Sequence, residues 1–275
     1  MKIINNFKNI SLLLICFLAI SCSNNPVTHT KEWHVISKQQ EIDLGEAHYQ
    51  TAQNASGGIY NQSPEVSQYV ERIGQKLARH SARPDLPFKF VILNQSTPNA
   101  WALPGGKIAI TVGLLKALEN EAQLAAVLAH EITHATARHG AKALERGLII
   151  QSGLTLGAWY TSRDDIESAL FLNGAQIASA LIQQKYSRNA ELEADHYGIL
   201  TMVEAGYDPY AAVELQELFI KLMEAHRSSW IQGLFASHPP SIERAKANKA
   251  LIMTLPKQHG LKNEKEYKTY INKLK

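Results

Sequence analysis

The sequence predicts an α+β fold that is mostly helical, with a small β-sheet placed directly before a central apolar helix. Apolar residues recur at a spacing of three and four over residues 37–53 and 64–80 and again over Glu119–His139, as expected for helices that bury one face. Between these regions, Phe88–Leu93 and Lys107–Thr111 have the composition of strands. A length of 275 residues with 45% hydrophobic content fits one ordinary globular domain.

The other predicted elements follow in chain order. Ser37 is a suitable N-cap for a first helix through Gln53, and Pro64 opens a second helix through His80. Trp101 is expected in a loop between the two strands. A short helix is expected over residues 113–118, and longer helical segments over 140–160, 169–182 and 221–235. The segments 140–160 and 169–182 are interpreted as buried or partner-facing helices rather than as membrane spans.

The N-terminus has the features of an export signal. A basic start precedes an apolar run from Ile10 to Ile20, which is too short to span a bilayer as a helix. The sequence Ala19-Ile20-Ser21-Cys22 resembles a bacterial lipoprotein box, although Ala19 stands where such boxes usually carry Leu. Residues 1–21 are therefore predicted to be a lipoprotein signal peptide and Cys22 the lipidated residue, with a plain secreted protein as the alternative. The mature chain would then hold a single cysteine and no disulfide.

The charge of the chain argues against a nucleic-acid partner. The formal net charge is +3, and it falls to +1 when the signal peptide with Lys2 and Lys8 is removed. No basic patch indicates a nucleic-acid surface. Residues 22–36 are expected to be a tether between the lipid and the domain, and residues 256–275 a solvated basic helix or tail.

The central helix carries the pattern H-E-x-x-H at His130, Glu131 and His134. Residues four apart lie one turn above each other on a helix, so both imidazoles point to one place. Two imidazoles make half of a tetrahedral zinc shell. Glu131 is angled to reach a water on the metal rather than the metal itself, and it would accept a proton as that water attacks a carbonyl. The pattern is typical of zinc proteases.

A catalytic zinc needs a third protein ligand. One class of zinc proteases supplies a His six residues after the second ligand, but Gly140 stands there, and His139 would face elsewhere on a continuing helix. The other class uses a Glu from a second helix. Glu191 is the candidate, because Asp195 lies four residues on and shares its face, where it can accept the N–H of a ligand His. Glu193 points off that face and is expected to be exposed to solvent.

Four motifs in order resemble the HtpX/BepA branch of the zinc metallopeptidases, which also includes the CAAX prenyl proteases. They are Asn99–Gly106, His130–His134, Ser187–Asp195 and Ser237–Pro240 with Glu243-Arg244. The resemblance implies a gluzincin-like domain over residues 37–255. Its small sheet would lie beside the central helix that carries His130 and His134, called the metal helix below. It also implies one zinc ion per chain bound by His130, His134 and Glu191, with Glu131 as general base. We expect the short periplasmic lipoprotein type, without membrane helices or tetratricopeptide repeats.

His238 and Arg244, in the last motif, have open roles. A His held by two prolines could donate a hydrogen bond to the oxyanion that forms during peptide cleavage. It could instead occupy the open position of the zinc until substrate displaces it, or it could be a simple loop residue. Arg244 could anchor the loop that carries His238 or bind the substrate backbone.

Two functions compete at this point. The first is a zinc endopeptidase that acts on unfolded or misassembled envelope proteins, anchored by lipid at the periplasmic face of the outer membrane. An extended peptide would bind there by adding a strand to the sheet. The alternative is a lipoprotein chaperone or assembly factor for outer-membrane proteins, working with the assembly machinery and carrying a latent or structural metal site.

Overall fold

The computed structural model describes residues 21–154, 174–225, 236–256 and 259–274. Its strands are β1 (Ser21–Asn24), β2 (Lys31–His34), β3 (Lys89–Leu93), β4 (Ala100–Leu103) and β5 (Lys107–Thr111). Its helices are α1 (Lys38–Ala55), α2 (Pro64–Ala78), α3 (Val112–Ala117), α4 (Glu121–Thr136), α5 (His139–Leu154), α6 (Gly174–Ile182), α7 (Arg188–Glu204), α8 (Tyr210–Ala225), α9 (Ile242–Thr254) and α10 (Glu264–Ile271). The predicted α+β class with few strands and many helices is confirmed.

The sheet before the metal helix has three strands in the order β3-β5-β4. β3 runs parallel to β5, and β4 runs antiparallel to it with Trp101 opposite Ala109. The expectation that Trp101 lies in a loop was wrong, because the residue belongs to β4. This strand is short and buried on both faces, so it shows none of the polar–apolar alternation that marks a half-exposed strand.

The two faces of the sheet enter different parts of the core. One face, with Ile108 and Ile110, belongs to the main cluster that also contains the buried faces of α2, α4 and α7. The other face carries Trp101 and Leu103, which pack with Tyr49 of α1 and Leu181 of α6. The sheet is therefore a middle layer, with the metal helix on one side and α1 and α6 on the other.

The starts of the predicted helices are confirmed by their caps. Ser37 and Gln40 form a reciprocal capping box at the start of α1, and Pro64 is the first residue of α2. Asn120 caps the metal helix α4 by accepting a hydrogen bond from the backbone N–H of Gln123. Every residue of α4 is buried, so its position is fixed from all sides.

The metal helix ends earlier than the sequence predicts. α4 stops at Thr136, and Arg138 adopts the left-handed conformation with φ of 63° before α5 begins at His139. This conformation is costly for a residue with a side chain. It is held by contacts of the buried Arg138 guanidinium with the Glu41 carboxylate, with the backbone carbonyl of Ile36 at 2.6 Å and with Glu145 at 3.2 Å. The chain therefore reverses direction where a continuing helix was expected.

The segment predicted as a tether contains a β-hairpin. β1 pairs antiparallel with β2, and the Asn25 side chain accepts hydrogen bonds from the backbone N–H groups of Val27 and Thr28 in the connecting turn. The carboxylate of Glu145 on α5 accepts hydrogen bonds from the next backbone N–H groups, those of Val35 and Ile36. These contacts tie the segment to the domain. No helix among the described residues is long and apolar enough to cross a membrane.

The C-terminal segment, expected to be a solvated helix or tail, forms a helix that packs on the domain. Tyr267 of α10 is buried and donates a hydrogen bond to the carbonyl of Leu115 at 2.6 Å, and the ring of Tyr270 stacks on Tyr69 of α2. Parts of the helical segments predicted over 140–160, 169–182 and 221–235 lie outside the described residues.

Candidate metal centre

Two imidazoles from α4 form the floor of the site. His130 and His134 are buried one helical turn apart, and their Nε2 atoms lie 3.1 Å from each other. This is the convergence that the i, i+4 spacing predicts. The helix holds its position because α7 crosses it closely: a Cβ built on Gly198 would lie 3.3 Å from the backbone nitrogen of His130. A larger residue at Gly198 would push the two helices apart.

Glu191 enters the site from the first turn of α7, which Ser187 caps. Its carboxylate oxygens lie 3.4 Å from Nε2 of His134 and 3.5 Å from Nε2 of His130. His238 completes the group, with Nδ1 at 3.0 Å from Glu191 Oε1 and 3.4 Å from His130 Nε2. One ligand atom from each of these four residues lies within 4.8 Å of all the others. The structure thus brings the three predicted ligands together and adds His238 to them.

The donor set fits a zinc ion. Imidazole nitrogens and one carboxylate oxygen are the ligands that a catalytic zinc takes in proteins. The Oε2 atom of Glu191 is buried without a well-formed hydrogen bond to any residue that the structure describes, although a guanidinium nitrogen of Arg244 lies 2.8 Å away. An ionised carboxylate with an unsatisfied buried oxygen is costly, and a cation at this point would remove the cost. His130, His134 and Glu191 would hold the ion, and His238 could occupy the remaining position.

Asp195 contacts His130, the first of the predicted ligands. Its Oδ1 lies 3.0 Å from Nδ1 of His130, so the imidazole donates there and directs Nε2 into the site. Arg244 in turn donates two hydrogen bonds of 2.7 Å to the Asp195 carboxylate and one of 3.1 Å to the carbonyl of Pro239. Arg244 therefore anchors the loop that carries His238, which is one of the two roles left open for it.

The ionisation states of the site follow from its burial and from the charges that face each other in it. Burial lowers the pKa of His130, but Asp195 and Glu191 outweigh it and raise that pKa to about 9. Burial holds the pKa of His134 well below its usual value. Burial alone would raise the pKa of Glu191, but His238 and the two ligand histidines keep it far below the usual range. At neutral pH Glu191 is therefore an anion and His134 is neutral, and His130 would release a proton when a metal binds.

Glu131 lies beside this group without joining it. The residue is buried, its Oε2 has no hydrogen-bond partner in the described part of the chain, and its Oε1 lies 3.6 Å from Nε2 of His238. It lines the same pocket as His130 and His238. A buried carboxylate with a free oxygen beside a metal site has the position of a general base.

Three residues of the site were missed or misplaced from the sequence. The ring of Tyr186 stacks on His134 with a centroid distance of 4.0 Å, and burial raises the pKa of its hydroxyl. His139 does not face elsewhere, because its Nδ1 lies 2.8 Å from Nδ1 of His134. The expectation that Glu193 is solvent-exposed was also wrong: its side chain is only 22% exposed and lies against His139. Gly140 is the one sequence signal for a helix end near this point, and the chain reversal there places His139 beside His134.

Zinc affinities of two variants should distinguish Glu191, which would bind the ion, from Asp195, which would orient a ligand histidine. We expect Glu191→Ala to lose most of its zinc affinity and Asp195→Ala to lose about ten- to hundredfold, because Asp195 acts through His130. Glu204→Ala, on the same helix with a side chain that is 65% exposed, is the matched control. Chelator competition at one fixed pH gives the dissociation constants. Full affinity in Glu191→Ala would remove Glu191 from the ligand set.

Comparison with known proteins agrees with the geometry. Peptidase family M48 matches residues 64–252. The beta-barrel assembly-enhancing protease of Escherichia coli (strain K12) is 29% identical over 248 residues, covering 86% of this chain and 48% of that protein. The mitochondrial metalloendopeptidase OMA1 of Schizosaccharomyces pombe is 30% identical over 223 residues, covering 80% of this chain and 63% of that protein.

The chain spans about half the length of the bacterial relatives that it matches. The region matched by the family contains the sheet, the metal helix, Glu191 with Asp195, and the segment with His238 and Arg244. The resemblance that the four sequence motifs carry is therefore confirmed. Because this match covers more than half of the chain and includes the whole metal centre, the chain belongs to peptidase family M48.

Proposed function

We propose that the protein is a zinc-dependent endopeptidase of the bacterial cell envelope that cleaves extended or misfolded envelope proteins. The observation that carries this proposal is the position of Glu131, which is buried beside His130, His134 and Glu191. One of its carboxylate oxygens has no hydrogen-bond partner among the described residues. A structural metal site would need the ligands alone. A free general base next to an N/O metal site is the requirement of hydrolysis.

The residues of the chain divide the work of peptide hydrolysis. A bound zinc would supply a Lewis acid that polarises the scissile carbonyl and makes water a nucleophile at neutral pH. Glu131 accepts the proton of the attacking water and passes it to the leaving amine. His238 has two roles that its position allows: its Nδ1 side faces Glu191 and His130, as capping of the metal requires, and its Nε2 side faces Glu131, as donation to the substrate oxygen requires.

The sheet and a neighbouring pocket support a peptide substrate. β4 is an edge strand of its sheet, paired only with β5 among the described residues, and it packs against the metal helix. An extended peptide that pairs with such an edge is bound through its backbone, with little demand on its side chains. Beside Glu131 lies an apolar pocket whose walls include Val127, Ile199 and Met202. This pocket suits an apolar side chain next to the cleaved bond.

The substrate class rests on the relatives. Several bacterial relatives are named beta-barrel assembly-enhancing proteases, which places those proteins in the assembly of β-barrels. Exposed apolar, extended segments are what a misfolded barrel protein would present to the edge strand and the pocket. The alternative remains a chaperone or assembly factor with a latent metal site. It is favoured by one observation: His238 lies within the ligand group itself.

Replacement of the general base is the direct test of enzymatic function. We expect Glu131→Gln to keep its zinc, because no ligand is lost, and to cleave casein several orders of magnitude more slowly. Metal content and cleavage rate are measured on the same preparations. If the zinc-loaded variant cleaves at nearly the wild-type rate, Glu131 is not the base. If neither the wild-type protein nor the variant cleaves any unfolded substrate, the result favours the chaperone alternative.

His238→Ala distinguishes a resting cap on the metal from a donor to the transition state. The short distances from His238 Nδ1 to Glu191 and His130 support capping, so we expect casein cleavage to rise and self-cleavage to appear when the imidazole is removed. Removal of an oxyanion donor would instead lower the rate by about a hundredfold or more. Time courses of casein cleavage show whether the rate rises or falls in His238→Ala. An unchanged rate and an unchanged metal affinity would mean that His238 is a simple loop residue.

We propose further that the protein is anchored by lipid at Cys22, on the periplasmic face of the outer membrane. The apolar run before Cys22 supports export, and Ser23 after it is a residue that permits transfer to the outer membrane in lipoproteins resembling this one. Labelled palmitate should enter the wild-type protein and not Cys22→Ala. Absence of label from the wild-type protein in a cell that lipidates a control lipoprotein would refute the anchor.

A further inference from the structure

The two metal-helix histidines are oriented in different ways. Nδ1 of His130 lies against the Asp195 carboxylate at 3.0 Å, whereas Nδ1 of His134 has no carboxylate beside it in the described residues. Its neighbour is another imidazole: Nδ1 of His139 lies 2.8 Å away, within hydrogen-bond distance. His139 is buried, and it reaches this position because the chain reverses at Arg138 instead of continuing the helix.

The position of Nε2 of His134 determines which nitrogen carries the proton in the rings of His134 and His139. Nε2 of His134 faces Glu191 and His130, so it needs a free lone pair to bind a metal. The proton of neutral His134 is then on Nδ1, which donates to Nδ1 of His139. Since Nδ1 of His139 accepts, the ring proton of His139 is on Nε2.

Glu193 lies where that second proton points. Its Oε1 is 3.4 Å from Nε2 of His139, and the same oxygen is buried with no well-formed hydrogen bond in the described part of the chain. Burial of an unpaired carboxylate oxygen is costly. A polarised hydrogen bond from His139 would remove that cost.

We propose that Glu193 and His139 form a relay that fixes the tautomer and ring orientation of His134 and raises its affinity for the metal. Glu193 accepts from His139 Nε2–H, and His139 accepts from His134 Nδ1–H. The relay does for His134 what Asp195 does directly for His130, so both carboxylates come from the same two turns of α7. This inference rests on the proposed binding of zinc by His134.

The relay makes a specific prediction about coupling, because Glu193 can act only through His139. We expect zinc affinity to fall about ten- to hundredfold in His139→Ala, the usual cost of losing a partner that orients a ligand. Glu193→Ala should lose several-fold to tenfold. The double variant should bind no more weakly than His139→Ala alone, since the carboxylate has lost the group it acts on. Glu204→Ala on the same helix should bind zinc as the wild-type protein does.

A rescue variant separates orientation from packing. The side-chain oxygen of Gln can accept from His134 Nδ1–H, so His139→Gln should recover part of the affinity that His139→Ala loses. It should also be insensitive to Glu193→Ala. Dissociation constants come from chelator competition with the full chain, and the visible absorption of the Co²⁺-loaded protein reports the geometry around the metal. Thermal unfolding of the metal-free variants shows whether the fold is retained.

Several outcomes would overturn the relay. If Glu193→Ala weakens binding by the same factor with and without His139, the two residues act independently. If Glu193→Ala and His139→Ala both match the Glu204→Ala control, neither residue has a part in metal binding. If His139→Ala does not fold, the zinc affinities of Glu193→Ala alone and in the His139→Gln background still test the relay. Failure of the wild-type protein to bind zinc would instead refute the proposed metal site itself.

Discussion

The metal centre depends on how two buried carboxylates, Glu191 and Asp195, are compensated where α7 crosses α4. Removing an ionised group from water costs several kcal/mol unless opposite charge and hydrogen bonds replace the water. The Arg244 guanidinium supplies both to Asp195, through two bonds of 2.7 Å, and it places its positive charge 2.8 Å from the Glu191 carboxylate. Because the two carboxylates lie one turn apart, fixing Asp195 also fixes Glu191 against the ligand histidines. The same guanidinium binds the carbonyl of Pro239, so the loop with His238 is positioned by the charges that build the site.

Much of this site could be predicted because it lies within single helices. The spacing of His130 and His134 on one helix, and of Glu191 and Asp195 on another, determines which side chains share a face, and both pairs converge as predicted. The strands β3 and β5, the cap of α1 and the start of α2 at Pro64 likewise follow from local composition and were confirmed. In each case neighbours along the chain provide the information.

What could not be predicted depends on contacts between distant segments. The end of α4 is set by Arg138, whose left-handed conformation is held by Glu41 and Glu145, residues that no local pattern connects to it. That reversal places His139 against His134 and gives Glu193 a buried partner. Because the helix end was predicted three residues too late, these two residues were not recognised as part of the site. The strand β4 was missed for a similar reason, since burial on both faces removes the alternation by which strands are recognised.

The central claim is that one zinc ion is bound by imidazoles from α4 and a carboxylate from α7, with Glu131 left free beside it. Zinc K-edge X-ray absorption on the purified chain tests this claim most directly, because it reports the number and type of atoms around the metal. We predict one zinc per chain with four nitrogen and oxygen neighbours at about 2.0–2.1 Å, two or three of them imidazole nitrogens. A sulfur neighbour, six oxygen neighbours or a chain that retains no zinc would contradict the proposed site.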